Sequence, residues 1–440
     1  SGTMGDESVN ACLGRRRAGS IAFLVLVCAL VGGCRAHQAG PFEQDAYLWQ
    51  KKWTPQVNDA VARASSAFGR LCVYAGDVVV KGDALSFDAI DVDWSGLAAC
   101  SAEIVPVIRA NVRLAHLLER PGVDAAVSAC VGAFRGFAAR ARAKGKNVLG
   151  LQIDFDCPTE SLPFYGRWLA ALRAALPNKV LSITVLPTWL SSSAFPPVVH
   201  NADYFVLQVH GLHMPKSVDD SVVLCDSKSA KEYARKAASL GRPFYVALPT
   251  YTYQAYFDAS GGFIGLTAEG GSGPARPGVQ RRSLAADAVE LAPLVAEWKS
   301  RPPRNMKGIV WFRLPVDGDE RNWPWDVLQT VMAGETPKSE FRTEMRAVRP
   351  DLRELWITSA GAYRPACNIR VSIQSDNAEI RAYDSVNGFK VNASASGSSL
   401  KVSGPAPQSD QPILASWWVL EPKDSKLPMS FTADNVENVK

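Results

Sequence analysis

The sequence lacks several patterns on which common functional assignments depend. It has no CxxC pair, which disfavours a zinc site, and no GxGxxG, so nothing supports a dinucleotide-binding fold. Its only basic run is Arg15–Arg17, and the net charge of +5 is otherwise spread out, so nucleic acid is not an expected partner. We also expect neither a metal nor a cofactor. What remains is a chain of 440 residues, which suits one large domain and one small domain.

The N-terminal region is typical of an export signal. Arg15–Arg17 precede an apolar run at 21–31, and two glycines and Cys34 follow it. The run is too short for a comfortable membrane span, and LVGGC resembles the bacterial lipobox, whose cysteine is lipidated. We expect a lipoprotein signal peptide at 1–33 and a membrane anchor on Cys34, with an uncleaved or non-lipidated signal as the alternative. A tether at 34–45 would then hold the protein in the bacterial cell envelope, facing the periplasm or the exterior.

The middle of the chain alternates short apolar runs with helical patterns. The predicted strands lie at 46–50, 71–75, 103–109, 148–156, 180–186, 204–210, 243–249 and 307–313. The predicted helices lie at 54–67, 121–144, 160–176, 228–240 and 281–300. Eight strands rich in Val, Ile and Leu, with helices between them, predict an α/β fold, a (β/α)8 TIM-type barrel over 46–340. A doubly wound open sheet is the alternative.

The pattern changes in the last hundred residues. Polar and apolar residues alternate from Asn368 to Val402 with Ser, Asn and Gly at the turns, which predicts a small C-terminal β-sandwich domain over 341–440. Trp417 and Trp418 fall in its last strand, where one of them should face the core. Further upstream, the stretch 261–278 is too long for a routine loop and is either a lid or a disordered insert.

The predicted fourth barrel strand ends in two carboxylates. In LQIDFD (151–156), side chains alternate, so Gln152, Asp154 and Asp156 share one face, which can point into the barrel. Functional sites of such barrels lie at the C-terminal ends of the strands. Two close carboxylates raise the pKa of one of them and keep a protonated acid available near neutral pH. We predict that Asp154 and Asp156 are catalytic, with Asp156 as general acid assisted by Asp154.

The other strand ends offer aromatic and polar side chains that suit a carbohydrate. Aromatic faces stack on sugar rings, and polar groups bind hydroxyls. The expected substrate-binding residues are Gln152, Trp49, Arg109, Trp189, Gln208, His210, Tyr251, Trp311 and Arg313, and Asp77 lies at a further strand end. The expected partner is therefore a polysaccharide or oligosaccharide.

The fourth strand resembles that of family 18 glycoside hydrolases, the chitinase-like enzymes, which reads D-G-x-D-x-D-x-E. Gly150 matches the glycine and Asp154 the last aspartate, while Asp156 takes the place of the catalytic glutamate and Gln152 that of the middle aspartate. The resemblance implies an acid at 156 that protonates a leaving group. In that family the acetamido group of the substrate acts as nucleophile.

Three other strands are similar to the same family. His210 and Gly211 stand where the family has Tyr and Asp after its sixth strand, and 247–251 (ALPTY) is similar to its seventh. Trp311 matches the tryptophan that floors the sugar site in the eighth strand.

A closer resemblance is to a bacterial family called domain of unknown function 3142. It rests on LWQKKWTP (48–55), LQIDFD (151–156), LSITVLPTWL (181–190), GIVWFRLP (308–315) and RNWPWDVL (321–328). It spans about 46 to 335 and implies a barrel in an exported protein, without supplying an activity.

The carboxylates also have structural interpretations. Asp156 could cap the next helix, and Asp154 could pair with Arg109 or Arg313 inside the barrel.

The cysteines and histidines leave similar alternatives. His210 and His213 could form half of a metal site. Six cysteines remain after Cys34, and sequence cannot choose their pairing. Cys157 and Cys225 follow the fourth and sixth strands, where a disulfide could join them.

Three functions are consistent with these patterns. The first is an envelope-anchored, glycoside hydrolase-like enzyme that acts on a polysaccharide. The second is a non-catalytic glycan-binding lipoprotein that uses the same cleft. The third is an envelope-assembly factor whose partner is another envelope protein.

Overall fold

A computed structural model describes residues 41–439 except 83, 120–121, 212, 269–276, 362, 366, 376, 424–430 and 434–435. The predicted signal peptide, Cys34 and most of the tether lie outside the described residues. Among the residues that are described, no helix is both long enough and apolar enough to cross a membrane.

The described residues form strands and helices in regular alternation up to about 333. The strands of this part are β1 (Glu43–Leu48), β2 (Arg70–Lys81), β3 (Ala84–Ala89), β4 (Glu103–Ala110), β5 (Gly150–Asp154), β6 (Val180–Val185), β7 (Tyr204–Gln208), β8 (Phe244–Pro249), β9 (Thr252–Phe257), β10 (Phe263–Thr267), β11 (Gln280–Ala285) and β12 (Met306–Phe312). The α-helices are α1 (Pro55–Ala64), α2 (Trp94–Ala99), α3 (Leu114–Leu118), α4 (Val123–Ala143), α5 (Leu162–Ala175), α6 (Phe195–Val199), α7 (Ser227–Ala238), α8 (Ala288–Ser300) and α9 (Trp325–Ala333). Short 3-10 helices lie at Thr159–Ser161 and Pro187–Ser191.

Eight of these strands close into a parallel barrel. Their order is β1-β12-β8-β7-β6-β5-β4-β2, and β1 also pairs with β2, so the sheet has no free edge along this path. Each predicted barrel strand overlaps one of the eight. The predicted (β/α)8 barrel is therefore confirmed.

Alternation along the strands separates the barrel interior from the helix layer. Tyr47, Tyr74 and Val107 pack with one another inside the barrel. Phe155, just past the end of β5, packs instead on the helix side, with its ring centroid 5.1 Å from that of Tyr165 and 5.7 Å from that of Trp168. The polar residues at 152 and 154 therefore face inward, as the sequence predicts.

The N-terminal end of the barrel interior is closed by an ion-pair cluster. The guanidinium of Arg70 donates to the carboxylates of Asp45 at 2.6 Å and Glu43 at 2.9 Å, and it lies over the rings of Tyr204 and Tyr245. Burial raises the pKa of Asp45 to about 6, although the charge and hydrogen bonds of Arg70 act to lower it. The guanidinium cannot lose its proton in this setting, so the pair is ionised at neutral pH.

Two segments of the barrel differ from the sequence expectation. The predicted helix 281–300 is wrong in its first part: 280–285 is strand β11, and the helix begins only at Ala288. The physical reason is a cap, because the Asp287 carboxylate accepts hydrogen bonds from the backbone N–H of Val289 and Glu290. The long stretch 261–278 contributes β10, which joins β9 and β11 in a small antiparallel sheet.

The C-terminal part forms two antiparallel sheets around one core, which confirms the predicted sandwich. Its strands are β13 (Phe341–Arg349), β14 (Leu352–Ser359), β15 (Asn368–Ser375), β16 (Ala378–Ser385), β17 (Lys390–Ala393), β18 (Ser399–Pro405), β19 (Ile413–Pro422), β20 (Phe431–Ala433) and β21 (Glu437–Val439). The first sheet has the order β13-β14-β19-β16, and the second contains β17-β18-β15-β20 with β21 on β15. Trp418 is fully buried in the shared core, whereas Trp417 is half-buried.

Candidate functional site

Three adjacent strands carry a row of charged residues near their C-terminal ends. Asp77 on β2 pairs in register with Arg109 on β4, and Arg109 pairs with Asp154 on β5. Residues paired in this way project from the same face of a sheet. Asp154 faces inward, so all three side chains point into the mouth of the barrel.

A bulge in β2 is needed to turn Asp77 inward. Tyr74 already points into the barrel, so simple alternation would send Asp77, three residues later, to the outside. The register shifts between Tyr74 and Gly76, and Gly76 has φ 145°, a conformation that favours glycine. A Cβ on Gly76 would also lie 2.3 Å from the backbone oxygen of Asp88. Gly76 thus lets the strand kink and brings Asp77 into the row.

These residues surround a pocket of about 270 Å³, which we call the acidic pocket. It is lined by Asp77, Val79, Arg109, Ala110, Asn111, Val112, Asp154 and Asp156. Three carboxylates and one guanidinium therefore face a small space at the carboxyl ends of β2, β4 and β5. This is the edge of the barrel at which (β/α)8 enzymes carry their active sites.

The single guanidinium of the acidic pocket is engaged by Asp77. The Nε and Nη2 atoms of Arg109 donate to the two carboxylate oxygens of Asp77 at 2.7 and 3.0 Å. Burial alone would raise the pKa of Asp77, but hydrogen bonds from Arg109 and Tyr74 and the charge of Arg109 lower it overall. Asp77 is therefore an ionised carboxylate at any pH near neutrality.

Asp154 has only neutral hydrogen-bond donors. Thr184 donates its hydroxyl to Oδ1 at 2.7 Å, and the amide of Gln208 donates to the same oxygen at 3.4 Å. Burial, followed by the charge of Asp156, raises the pKa of Asp154 to about 7, against the lowering effect of the Thr184 hydrogen bond and of Arg109. Asp154 therefore holds a proton for a substantial part of the time at neutral pH.

Asp156 lies one step further out on the same strand end; the residue as a whole is exposed, but its carboxyl group faces the pocket among protein atoms. Burial of its carboxyl group raises the pKa of Asp156, while the charge of Arg109 and a hydrogen bond from Gln208 act to lower it. Because solvent reaches Asp156, the larger shift belongs to Asp154. The two groups titrate as a pair that shares protons.

Aromatic rings fill the centre of the barrel mouth. Trp49 stacks on Tyr74 with ring centroids 4.6 Å apart, and Phe312 lies 5.3 Å from Trp49. His210 stacks on Phe312 at 5.5 Å, and its Nδ1 lies 3.2 Å from the hydroxyl of Tyr251. These rings leave the open space to one side, where the acidic pocket lies.

His210 is held neutral within this group of rings. Burial lowers the pKa of His210 to about 4. His213, three residues later, is exposed, and no group of three or more metal-binding side chains occurs within the described parts of 41–439. His210 is therefore a neutral hydrogen-bonding group at physiological pH.

Four predicted sugar-binding residues are not at the acidic pocket. Trp311 is completely buried on the helix side of β12, where its indole donates to Gln44 at 3.0 Å, because Val310 and Phe312 take the inward positions. Trp189 is 1% exposed behind the barrel, where its indole donates to the backbone oxygen of Cys157.

The two polar members of this group form their hydrogen bonds away from the acidic pocket. Gln152 points inward but lies below the pocket, completely buried, with Tyr47 donating to its Oε1 at 2.6 Å. Arg313 is 5% exposed and donates to Asp319 at 2.7 Å, so it holds the loop after β12. Of the remaining predicted residues, Arg109 lines the pocket and Gln208 contacts Asp154, while Trp49, His210 and Tyr251 belong to the ring cluster.

Several contributors to the site were not assigned from the sequence. Asp77 was expected only as a strand end, since its inward direction depends on the bulge. Thr184, in the strand LSITVL, could have been found, because it is a polar residue at an inward position of β6. Nothing in the sequence separates Phe312 from Trp311 as the inward ring, because both neighbouring positions are apolar.

The cysteines contribute no covalent link to the site. Cys157 and Cys225 are both buried free thiols, as are Cys72, Cys100 and Cys130. The Cys157–Cys225 disulfide that the sequence left possible is therefore not formed in this structure.

Comparison with known proteins yields one family and a set of solved structures. Residues 102–317 match the family model described as domain of unknown function (DUF3142). The spore cortex-lytic enzyme SleL of Bacillus cereus is 14% identical, with a TM-score of 0.47 over 67% of this chain and 74% of that chain. A chitinase from Chromobacterium violaceum is 14% identical, with a TM-score of 0.48 over 67% of this chain and 98% of that chain. A chitinase from Bacteroides thetaiotaomicron is 11% identical, with a TM-score of 0.48 over 67% and 96%.

No curated protein matches the chain. The family match contains β4 to β12 of the barrel, together with Arg109, Asp154 and Asp156 of the acidic pocket. The resemblance to domain of unknown function 3142 predicted from the sequence is therefore confirmed as a family-model match over residues 102–317.

Proposed function

We propose that this protein is a glycoside hydrolase-like enzyme that cleaves a polysaccharide in the acidic pocket, with Asp156 as general acid. The observation that carries the proposal is the pair Asp154–Asp156 with raised pKa values, facing a pocket at the carboxyl ends of the barrel strands. Protonation of a glycosidic oxygen requires a carboxyl group that keeps a proton near neutral pH. Asp156, the more exposed of the two, is the one that a substrate can reach, and Asp154 tunes it.

The pocket also holds an ionised carboxylate at a suitable distance. Asp77 and Asp154 lie two strands apart, which places their Cα atoms roughly 10 Å from each other. Hydrolysis needs a protonated acid on one side of the sugar and an ionised group on the other, which stabilises positive charge or orients water. Asp77, kept ionised by Arg109, can take the second role.

The neutral groups at the pocket supply recognition of sugar hydroxyls. Asn111 lines the pocket, and the amide of Gln208 lies next to it against Asp154. Arg109 has donor capacity beyond its two bonds to Asp77, because a guanidinium carries five N–H groups. The ligand of the pocket is therefore proposed to be a polar, hydroxyl-rich sugar unit.

Binding without cleavage is the second candidate. It is favoured by the rings of Trp49, Phe312 and His210, which fill the middle of the mouth and restrict the pocket to about 270 Å³. That volume lies below the usual range for small-molecule sites. A sugar could then dock at the pocket edge without reaching a reactive position.

A glycan array followed by product analysis separates the two candidates. If the enzyme proposal is right, the wild type binds a glycan and releases shortened products, and Asp156→Asn lowers the rate by about 10²- to 10⁴-fold while leaving binding in place. Asp59→Asn, on the exposed face of helix α1, is the matched control and should behave like wild type. Binding without products in the wild type would reject hydrolysis and leave the binding function.

The cellular context is proposed from the sequence. The lipobox-like LVGGC supports an envelope lipoprotein anchored through Cys34 and facing the periplasm or the exterior. Labelling with a fatty acid in the bacterial host tests this, because Cys34→Ser should abolish both the label and membrane association. An envelope-assembly role with a protein partner becomes the better proposal if no glycan binds.

A further inference from the structure

A second and larger cavity lies on the same face of the barrel, away from the acidic pocket. Its volume is about 1500 Å³, and we call it the outer cleft. One wall comes from the loop after β7 at 222–225, from the end of β11 and the residues after it at 282–287, and from the segment after β12 at 315–320 and 322–325. The other wall comes from the C-terminal sheets, including Trp356 and 363–365. Clefts between two folded parts of a chain are preferred places for ligand binding.

Two tryptophans on opposite walls line the outer cleft, and each is held in place from one side. Trp325, the first residue of α9, has the guanidinium of Arg63 5.8 Å from its ring centroid and the edge of Phe68 at 6.1 Å. Trp356 on β14 has the guanidinium of Arg346 4.4 Å from its ring centroid. Its indole N–H donates to Glu354 at 2.8 Å.

Both rings are half-buried and line the cavity, so they form rigid apolar platforms beside its charged and amide side chains. A third ring, Tyr363, lines the C-terminal wall with its hydroxyl 3.5 Å from the carboxylate of Asp287. Flat, fixed aromatic surfaces match the apolar faces of sugar rings. Little ordering is needed when such a ligand binds, because the rings are already positioned.

The charge of the outer cleft restricts the kind of glycan. Among the described residues, the acidic lining side chains are Asp287, Glu290, Asp317, Asp319 and Glu320, and the basic ones are Arg282 and Arg364. Asp317 is paired with Arg63 and Asp319 with Arg313, which leaves three acidic groups against two arginines. The described lining therefore offers no cluster of cations for uronic acid chains or phosphate-containing polymers. Amide side chains such as Asn322, Asn387 and Gln408 provide uncharged partners for hydroxyls. The lining of the outer cleft therefore suits a neutral polymer better than a charged one.

We propose that the outer cleft is a second glycan-binding site, which takes several units of a neutral polysaccharide chain between Trp325 and Trp356. It rests on the proposed function only in that the ligand is a glycan, and it does not require that the acidic pocket cleaves. The site would retain a long chain on the barrel face while the acidic pocket engages one position of it. Short oligosaccharides would gain little from it, because they cannot contact both walls.

The experiment measures binding of neutral disaccharides and octasaccharides of glucose and of N-acetylglucosamine, with polygalacturonate as the acidic chain. The full chain is used as wild type, as the Trp325→Ala, Trp356→Ala double variant and as Trp417→Ala. Trp417 is the matched control, because it is a half-buried tryptophan of the same sheet as Trp356 and does not line the cleft. Thermal unfolding of each variant checks that the fold is retained.

The expected result is that the double variant loses at least about tenfold in affinity for an octasaccharide, with little change for disaccharides. Trp417→Ala should bind like wild type, and polygalacturonate should bind weakly to all three proteins. Unchanged octasaccharide affinity in a folded double variant overturns the inference, as does an octasaccharide that does not bind the wild type.

The two proposals fail in different ways. Asp156→Asn should stop product formation and keep octasaccharide binding. The tryptophan double variant should lose octasaccharide binding and still release products from disaccharide-sized substrates. Loss of binding on tryptophan replacement in a protein that releases no products would support the outer cleft and reject hydrolysis. Products that depend on Asp156, with binding independent of both tryptophans, would support hydrolysis and reject the outer cleft.

Discussion

Both ends of the barrel interior hold carboxylates, but the groups that donate hydrogen bonds to these carboxylates differ. At the N-terminal end, the carboxylate of Asp45 is 2% exposed and receives two hydrogen bonds from the side chain of Arg70, at 2.6 and 2.9 Å. At the C-terminal end, the fork of Arg109 is occupied by Asp77, and Asp154 has only the neutral donors Thr184 and Gln208. The first arrangement neutralises a buried charge, whereas the second leaves a carboxyl pair that favours a proton.

The difference matches the functional asymmetry of (β/α)8 barrels. Residues at the N-terminal end stabilise the closed barrel, and residues at the C-terminal end carry chemistry. A buried ion pair is costly to break, because one partner is left charged in a poorly solvated place. A carboxyl pair with raised pKa values that faces a cleft without a cation of its own is a candidate functional site.

The largest effect on stability is expected from breaking the ion pair at the N-terminal end. Arg70→Met leaves Asp45 buried without its cation and should lower the free energy of unfolding by about 3–5 kcal/mol at pH 7. Urea unfolding monitored by circular dichroism measures the change. Arg109→Met is the counterpart at the other end, where the Arg109 and Asp77 side chains are 37% and 27% exposed, so its cost should be about 1 kcal/mol or less. Equal losses for the two variants would contradict the comparison.

The stability lost in Arg70→Met should also depend on pH. Without Arg70, the pKa of Asp45 should rise above its present value of about 6. Protonation then removes the uncompensated charge, so the deficit of Arg70→Met relative to wild type should shrink as pH falls from the raised pKa of the variant to about 6, and it should change little below that pH.

A stabilising substitution is expected at the C-terminal end. The pKa of Asp154 is about 7 in the folded protein and 3.8 in its ordinary state, so folding favours the protonated form. The cost of ionising Asp154 is absent below about 3.8, grows as pH rises through this window and is complete above about 7.

Asp154→Asn removes this cost and should therefore raise the free energy of unfolding by about 1–2 kcal/mol at pH 8, with a smaller gain at pH 5. Thermal unfolding at the two pH values measures it, and hydrolysis should fall in the same variant. Destabilisation that grows from pH 5 to pH 8 would show that the ionised carboxylate is the favoured form.

A smaller effect is expected in the ring cluster that closes the mouth. The hydroxyl of Tyr251 lies 3.2 Å from Nδ1 of His210, and both groups are neutral. Tyr251→Phe removes this hydrogen bond and should cost about 1 kcal/mol of stability, because the bond joins uncharged partners. Chemical denaturation at pH 7 measures the cost. A loss as large as that of Arg70→Met would mean that the cluster, and not the ion pair, closes the barrel.

Much of the fold follows from the sequence, because parallel barrel strands are buried on both faces. That burial produces the apolar runs from which all eight strands are predicted, including short ones such as Tyr204–Gln208. The inward direction of Asp154 is also predictable, since 151–156 alternates cleanly between apolar and polar residues. Position 154 is therefore the part of the site that sequence reasoning locates best.

Two features of the site escape prediction for physical reasons. On β12, Val310, Trp311 and Phe312 are all apolar, so no alternation indicates which ring faces inward, and Trp311 was assigned to the wrong side. On β2, the direction of Asp77 depends on a register shift at Gly76, which is a property of pairing between strands. Both depend on geometry that a single sequence does not encode locally.

The most direct test of this account is a carboxyl titration by carbon-13 NMR of the aspartates, with Asp77→Asn, Asp154→Asn and Asp156→Asn used for assignment. We predict that the Asp154–Asp156 pair takes up a proton near neutral pH, with Asp154 titrating at about 7, while Asp77 stays ionised below its ordinary pKa of 3.8. Titration of all three carboxyl groups near pH 4 would contradict the account, because the C-terminal end would then hold no proton to donate.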